Sequence, residues 1–194
     1  MCGARRIPDL IVPLGDTVSG MLTARGGYHR RMPVMSAGIL LYRLGPNGAD
    51  AAEVFLAHMG GPFWTSKREG AWTIPKGEYD PDTETARDAA RREFAEELGI
   101  APPELDHAEL GTFVYSSGKR IVVFVADGAG FDPPHLTFGE FDLEWPPRSG
   151  RMQRFPEVDD ARWVPLGEAR TLLVKGQRPA VEALERLLAA ASTP

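Results

Sequence analysis

Residues Gly77–Ile100 read GEYDPDTETARDAARREFAEELGI, and the second half of this stretch carries the marks of a helix. Asp82 or Thr83 supplies an N-cap and Gly99 a stop. Spaced at about 100° per residue from Glu93, Glu97 falls near +40° and Glu96 near −60°, so the three carboxylates share one face. Ala86, Ala89 and Ala90 lie on the same side. This alanine surface is expected to pack against the rest of the protein, with Arg87, Asp88 and Arg91 pointing elsewhere. The glutamates then stand at the rim of the buried face.

Such a rim is costly. Like charges at i,i+4, as in Glu93 and Glu97, destabilise a solvated helix by roughly 0.2–0.5 kcal/mol, and partial burial raises the cost unless a cation compensates. Arg92 can pair with Glu96 at i,i+4, which leaves Glu93 and Glu97 unneutralised. Hard oxygen ligands on one helical face suit Mg²⁺ or Mn²⁺. A plain solvated charged face has the same pattern, and the helical wheel leaves both readings open.

The stretch resembles the Nudix box, whose family pattern is G-x5-E-x7-R-E-U-x-E-E-x-G-U with U a bulky apolar residue. Glu84, seven intervening residues, and then Arg92-Glu93-Phe94-Ala95-Glu96-Glu97-Leu98-Gly99-Ile100 match it in register. Two departures stand out. Phe94 is aromatic at the first U position, and six residues separate Gly77 from Glu84. The extra residue falls in the Tyr79–Asp82 loop, ahead of the carboxylates.

The resemblance implies an α/β fold: a Nudix α/β/α sandwich with a mixed sheet between helices. It also implies a hydrolase that cleaves a pyrophosphate bond in a nucleoside diphosphate-linked substrate, with Mg²⁺ as cofactor and Mn²⁺ as a substitute. Carried over residue by residue, Glu93, Glu96 and Glu97 are the metal ligands, with the Gly77 carbonyl as a backbone ligand. Arg92 orients Glu93, and Glu84 supports the box loop. One of the ligands, or a carboxylate from a later loop, takes the proton from the attacking water. Related enzymes draw a further carboxylate from downstream, where Glu140, Asp142 and Glu144 form one cluster and Glu157, Asp159 and Asp160 another. Glu157 is preferred to Glu144, because its cluster immediately precedes the run Arg162-Trp163-Val164, which reads as a core strand, and because it sits between Pro156 and Val158.

The 194 residues indicate one domain with appendages. Residues 1–32, rich in Gly, Pro and Arg without periodicity, are read as a flexible N-terminal extension, and 33–194 as the hydrolase domain. A net charge of −5 argues against a dedicated nucleic-acid or membrane surface. Cys2 is the only cysteine, so there is no intramolecular disulfide, and a reducing, cytoplasmic setting is expected. No apolar run approaches the roughly 18–20 residues of a membrane span.

Along the chain, Ser36–Leu44 and Glu53–His58 read as strands joined by a turn, followed by the long loop GGPFWTSKREGAW. In that loop Phe63 and Trp64 are candidates to stack a base, or else to anchor the loop. His58 reads as a structural histidine, with a phosphate contact as the alternative. Trp72-Thr73-Ile74-Pro75-Lys76-Gly77 enters the box. The pattern W-x-x-P-K-G resembles the hydrolases of dinucleoside polyphosphates and diphosphoinositol polyphosphates, which makes Lys76 a candidate for gripping a polyphosphate chain. That resemblance points to a dinucleoside polyphosphate such as diadenosine tetraphosphate as leading substrate. A nucleotide-sanitising triphosphate hydrolase and a non-catalytic nucleotide-binding regulator are the alternatives.

Leu110–Ser116 and Ile121–Ala126 form a hairpin, with Lys119 and Arg120 at its turn and Tyr115 a candidate to stack on a purine. The polar, proline-rich residues 131–160 read as a long excursion on the substrate side. A short helix over Gly167–Val174 and a last amphipathic helix from Pro179 to near Ala191 close the domain.

Overall fold

A computed structural model describes residues 33–104 and 107–191. The extension expected over 1–32 lies outside the described residues. Among the described residues, nine strands and three helices run β1 (Met35–Gly45), β2 (Gly48–Met59), β3 (Trp72–Thr73), β4 (Lys76–Tyr79), α1 (Ala86–Leu98), β5 (Ala108–Val114), β6 (Arg120–Asp127), β7 (Glu140–Glu144), β8 (Met152–Pro156), β9 (Val158–Pro165), α2 (Leu166–Leu172) and α3 (Arg178–Ala191), with a 3-10 turn over Lys175–Gln177.

Strands β1 and β6 are the most buried and pair in parallel from Met35–Arg120 to Tyr42–Asp127. Their near-continuous apolar runs are what a strand covered on both faces requires. Alternate residues serve two cores. Ala37, Ile39, Leu41, Phe55, Val122 and Phe124 face α1, which contributes Ala89, Ala90, Phe94 and Leu98. Leu40, Tyr42, Val54, Leu56, Val123 and Val125 face α2 and α3, which contribute Ala169, Leu172, Val181, Leu184 and Leu188. The expected mixed sheet between helices is therefore the architecture found, and the alanine face of α1 is the face that packs. Phe94 fits because its ring meets Phe131 edge-on at 5.8 Å, and Phe131 in turn meets Phe55 at 5.2 Å.

The sheet is split, and the split positions everything else. The second half of β1 pairs with β2, whereas its first half, Met35–Gly38, pairs with β4. Beyond Leu56, β2 pairs with β3 instead. Residues 72–79 thus cross from β2 to β1 and fill the gap. At the crossing Ile39 donates its N–H to the Pro75 carbonyl at 3.2 Å, and Pro75 has no N–H to leave unpaired. Gly38 lets the two backbones meet, since a Cβ there would lie 2.6 Å from the Lys76 Cβ. From the other side, the wholly buried Gln177 accepts from Ile74 N at 2.7 Å and donates to Thr73 Oγ1 at 2.8 Å.

Several boundaries differ from the sequence reading, among them β2, which begins at Gly48 rather than Glu53, and α2, which spans Leu166–Leu172 rather than Gly167–Val174. Thr85, not Asp82 or Thr83, caps α1: its extended backbone turns the hydroxyl onto the Asp88 N–H at 3.1 Å. Asp80 instead organises the loop before it, accepting from the backbone of Asp82, Thr83 and Glu84, and so absorbs the extra residue. Helix α3 starts at Arg178, one residue before Pro179. The excursion over 131–160 is not all loop, because β7 and β8 form a separate two-stranded arm, and Asp159 and Asp160 already belong to β9. Helix α1 does end at Gly99, whose φ of 68° is left-handed.

Replacing Gln177 by Leu keeps the volume and strands the Ile74 N–H in a dry core. The expected loss is about 1–3 kcal/mol of unfolding free energy, read from urea denaturation with an unchanged m-value.

Candidate functional site

The crossing segment delivers two backbone groups to α1. Lys76 N donates to Glu97 Oε2 at 3.0 Å, and Gly77 lies directly beneath the Glu93 carboxylate, which a Cβ at that position would overlap. Helical spacing explains why the two glutamates meet the strand together, since they stand one turn apart on the side of α1 that packs. Glu97 is 9% exposed, an unusual burial for a carboxylate.

That burial pushes the Glu97 pKa up to about 7. The Lys76 charge and the Lys76 amide oppose the rise, while the charges of Glu93 and Glu157 add to it. Glu157, reached only after the arm, therefore stands in the electrostatic neighbourhood of the box. It is exposed, and its carboxylate lies near Gly139, where a Cβ would be 3.0 Å from Oε2 and 3.1 Å from the Glu96 carbonyl. Its backbone is pinned on both sides, Glu157 N donating to Gly139 O at 2.8 Å and Gly60 N to Glu157 O at 2.8 Å. Glu144 is placed elsewhere. It lies at the far end of β7 and accepts from Gly150 N at 2.7 Å, inside the arm's own turn.

One guanidinium holds the remaining acids. Arg92 grips Glu84 with two N–H groups at 3.0 and 2.8 Å, and its Nη1 donates to Glu93 at 2.6 Å and to Glu96 at 2.9 Å. The hydrogen bond from Arg92 lowers the Glu84 pKa, and the same partners raise that of Arg92. Glu93 is thus neutralised by its chain neighbour, a pairing that the helical wheel did not offer. Of the four box glutamates, Glu97 alone has no ion-pair partner among the described residues.

The other candidate residues separate into groups. Phe63, 51% exposed, meets Trp145 of the arm edge-on at 5.1 Å. Trp64 is half-buried under the Lys67 ammonium, 4.5 Å from its ring. Tyr115 lies on the opposite face of the sheet from α1, its ring over Gly176 and its hydroxyl accepting from Gln177 Nε2 at 2.9 Å. Lys119 is paired with Glu78 at 2.9 Å. His58 is buried between the Asp159 carboxylate at 2.5 Å and the Lys67 carbonyl at 2.7 Å, the satisfied structural role. Sequence reasoning missed Gly139 and Trp145. The alternation Glu140, Phe141, Asp142, Leu143, Glu144, Trp145 was the available signal for the arm.

Among the described residues, no three His, Cys, Asp or Glu side chains are gathered closely enough to hold an ion. The donor chemistry nonetheless fits a hard divalent cation: only oxygens are present, and the repulsion of Glu93 and Glu157 on buried Glu97 is what such a cation would relieve.

The family profile described as NUDIX domain matches residues 34–184. An uncharacterised 17.7 kDa protein from the e-segB intergenic region of Enterobacteria phage T4 is 35% identical over 95 residues, which span 48% of this chain and 59% of that protein. An Ap4A hydrolase from C. elegans, solved as a binary complex, aligns with a TM-score of 0.53 and 22% identity, over 81% of this chain and 98% of that one. The NUDIX domain of Shewanella oneidensis NrtR, solved with ADP ribose, aligns with a TM-score of 0.51 and 18% identity, over 81% and 90%. These two likenesses are of fold. No helix of the described residues is long and apolar enough to cross a membrane.

A carboxyl pKa raised from the ordinary 4.5 to about 7 makes the folded state bind more protons than the unfolded one between those values. Stability therefore falls as pH rises through that window and is flat above it. Glu97→Gln removes this slope. In chelator at pH 8 it should be about 1–3 kcal/mol more stable than the parent, and equal to it near pH 4, by parallel urea titrations.

Proposed function

The chain belongs to the NUDIX domain family, and from that premise we propose that it hydrolyses a pyrophosphate bond in a nucleoside diphosphate-linked substrate, with a dinucleoside polyphosphate foremost. The observation that carries this reading is the buried Glu97 carboxylate at the Lys76–Gly77 backbone, with Glu93 and Glu157 in its field. Glu93, Glu96, Glu97, Glu157 and the Gly77 carbonyl would hold the cation, Mg²⁺ or in its place Mn²⁺. A cation bound there would supply charge neutralisation for the phosphoryl oxygens.

The chain's own residues do the rest. Arg92 fixes Glu93 and Glu96 in place and is itself anchored by Glu84. Lys76 offers its ammonium to the phosphate chain, beside the carboxylate its amide holds. A water oxygen bonds to phosphorus as the bridging P–O bond breaks, and the leaving phosphate departs with the electron pair. The water proton passes to a carboxylate, and Glu157, exposed and fixed by both its backbone bonds, is our choice for this further acidic group. Phe63 and Trp64 flank the substrate side, whereas Tyr115, below the sheet, has no part in this scheme. A single cysteine suits the cytoplasm.

All four box glutamates are retained, which favours turnover over a purely regulatory nucleotide-binding role. A panel of dinucleoside polyphosphates, nucleoside triphosphates and nucleotide sugars, assayed with Mg²⁺ and Mn²⁺ and with products separated by chromatography, tests the reading. Cleavage of the dinucleoside polyphosphates is expected to dominate, and Lys76→Ala to impair them more than a nucleotide sugar. Equal losses on both would remove the case for a long phosphate chain. Glu157→Gln should lower kcat about 10²-fold with less effect on KM. A loss on Glu144→Gln instead would assign the further carboxylate to the arm.

A further inference from the structure

The arm has two unlike faces. Phe141, Leu143, Trp145 and Phe155 lie on one, with Phe141 and Phe155 against Gly61 and Trp145 against Phe63. Glu140, Asp142 and Glu144 lie on the other, where Arg154 sits 3.8 Å from Glu140 and 3.6 Å from Asp142. The aromatic face thus looks onto the loop that carries Phe63, and the acids look away from it.

At the tip the chain reads Trp145-Pro-Pro-Arg-Ser-Gly-Arg151. The turn is held in shape: Trp145 N donates to Arg151 O at 2.9 Å, Ser149 N to Pro146 O at 3.1 Å, Gly150 N to Glu144 Oε1 at 2.7 Å, and Gln153 Nε2 to Trp145 O at 2.8 Å. Arg148 has φ of 64°, a left-handed backbone that glycine adopts without strain and arginine does not. Arg148 and Arg151 are exposed, and neither has an ion-pair partner among the described residues. In a chain of net charge −5, two arginines without ion-pair partners on an ordered turn that also carries Trp145 concentrate positive charge and aromatic surface at the tip.

The root of the arm is the Gly139–Glu157 bond, beside Glu96. From Glu140 to Trp145 an antiparallel strand advances roughly 17 Å at about 3.4 Å per residue. That exceeds what one nucleotide spans between its base and its first phosphates, so the tip is matched to a second nucleotide at the far end of a phosphate chain.

We propose that the arm's tip and the facing loop form a subsite for the distal nucleotide of a dinucleoside polyphosphate, with Trp145 and Phe63 stacking its base and Arg148 and Arg151 taking its phosphate. This rests on the reading of the site as a polyphosphate hydrolase. Stacking and charge act there in binding rather than at the reacting phosphorus, so they set KM for the longer substrate.

The test compares the parent with Trp145→Ala, Trp145→Phe and Arg148→Gly, on diadenosine tetraphosphate and on a nucleoside triphosphate. Trp145→Ala should raise the KM for diadenosine tetraphosphate relative to that for the triphosphate by about tenfold. Trp145→Phe should recover most of that loss. Arg148→Gly relieves the backbone and should fold at least as well as the parent, yet shift the same ratio in the same direction. An unchanged ratio in Trp145→Ala and Arg148→Gly, with a parent that cleaves the dinucleotide, overturns the subsite and leaves the hydrolase reading standing. A parent that cleaves neither nucleotide overturns the hydrolase reading. The subsite is then decided by calorimetric titration with diadenosine tetraphosphate: weaker binding by Trp145→Ala supports it, and equal or absent binding overturns it.

Discussion

The hydrogen bond from the Lys76 amide to the Glu97 carboxylate is the constraint from which the rest of this structure follows. A carboxylate withdrawn almost entirely from water needs a donor held in place for it. The donor here is a backbone N–H, and its position is set by a strand that crosses a split sheet. Each oddity of that crossing then has a cause. Gly38 admits the second backbone, Pro75 lends a carbonyl without leaving an N–H bare, and Gly77 makes room for Glu93. Gln177 secures the crossing from beneath, so the α2–α3 side of the sheet contributes to a site on the α1 side.

Electrostatics divides the box into two halves. Arg92 collects Glu84, Glu93 and Glu96 at the wetter rim, where their mutual repulsion is offset by one shared cation. Glu97 is left inside, raised by burial and by the charges of Glu93 and Glu157. Unfavourable electrostatics are thereby concentrated at one buried group. Stability given up at a buried charge is the compromise expected where a fold carries a site.

Legibility from the sequence followed the range of the forces involved. Helix α1 was readable because alanine spacing, the acid spacing and Gly99 are local signals, and its true cap was missed only because Thr83 and Thr85 offer equally good hydroxyl acceptors two residues apart. The two-faced sheet was readable from the apolar runs of β1 and β6. The position of Glu157 beside the box was legible by asking which acidic cluster precedes a core strand. The face on which Tyr115 lies was not reachable, because it depends on how β5 registers with β6, where a shift between Glu109 and Gly111 intervenes. The arm was hidden by its own composition: its prolines, glycine and charges read as loop, although every second residue from Phe141 to Trp145 is apolar.

The same contrast separates what the sandwich can specify from what it cannot. An Ap4A hydrolase and a NUDIX domain complexed with ADP ribose share this fold, so the sheet, the helices and their packing are compatible with unlike ligands. The loop over residues 60–71 and the arm lie outside that sandwich, and they touch each other through Gly61, Phe141, Phe155, Phe63 and Trp145. Both meet at the Glu157 backbone, which bonds to Gly60 on one side and Gly139 on the other, while Thr137 N–H ties the arm's approach to the Leu98 carbonyl of the box. A change in how the arm sits would therefore be transmitted to the backbone of Glu157, whose charge acts on buried Glu97.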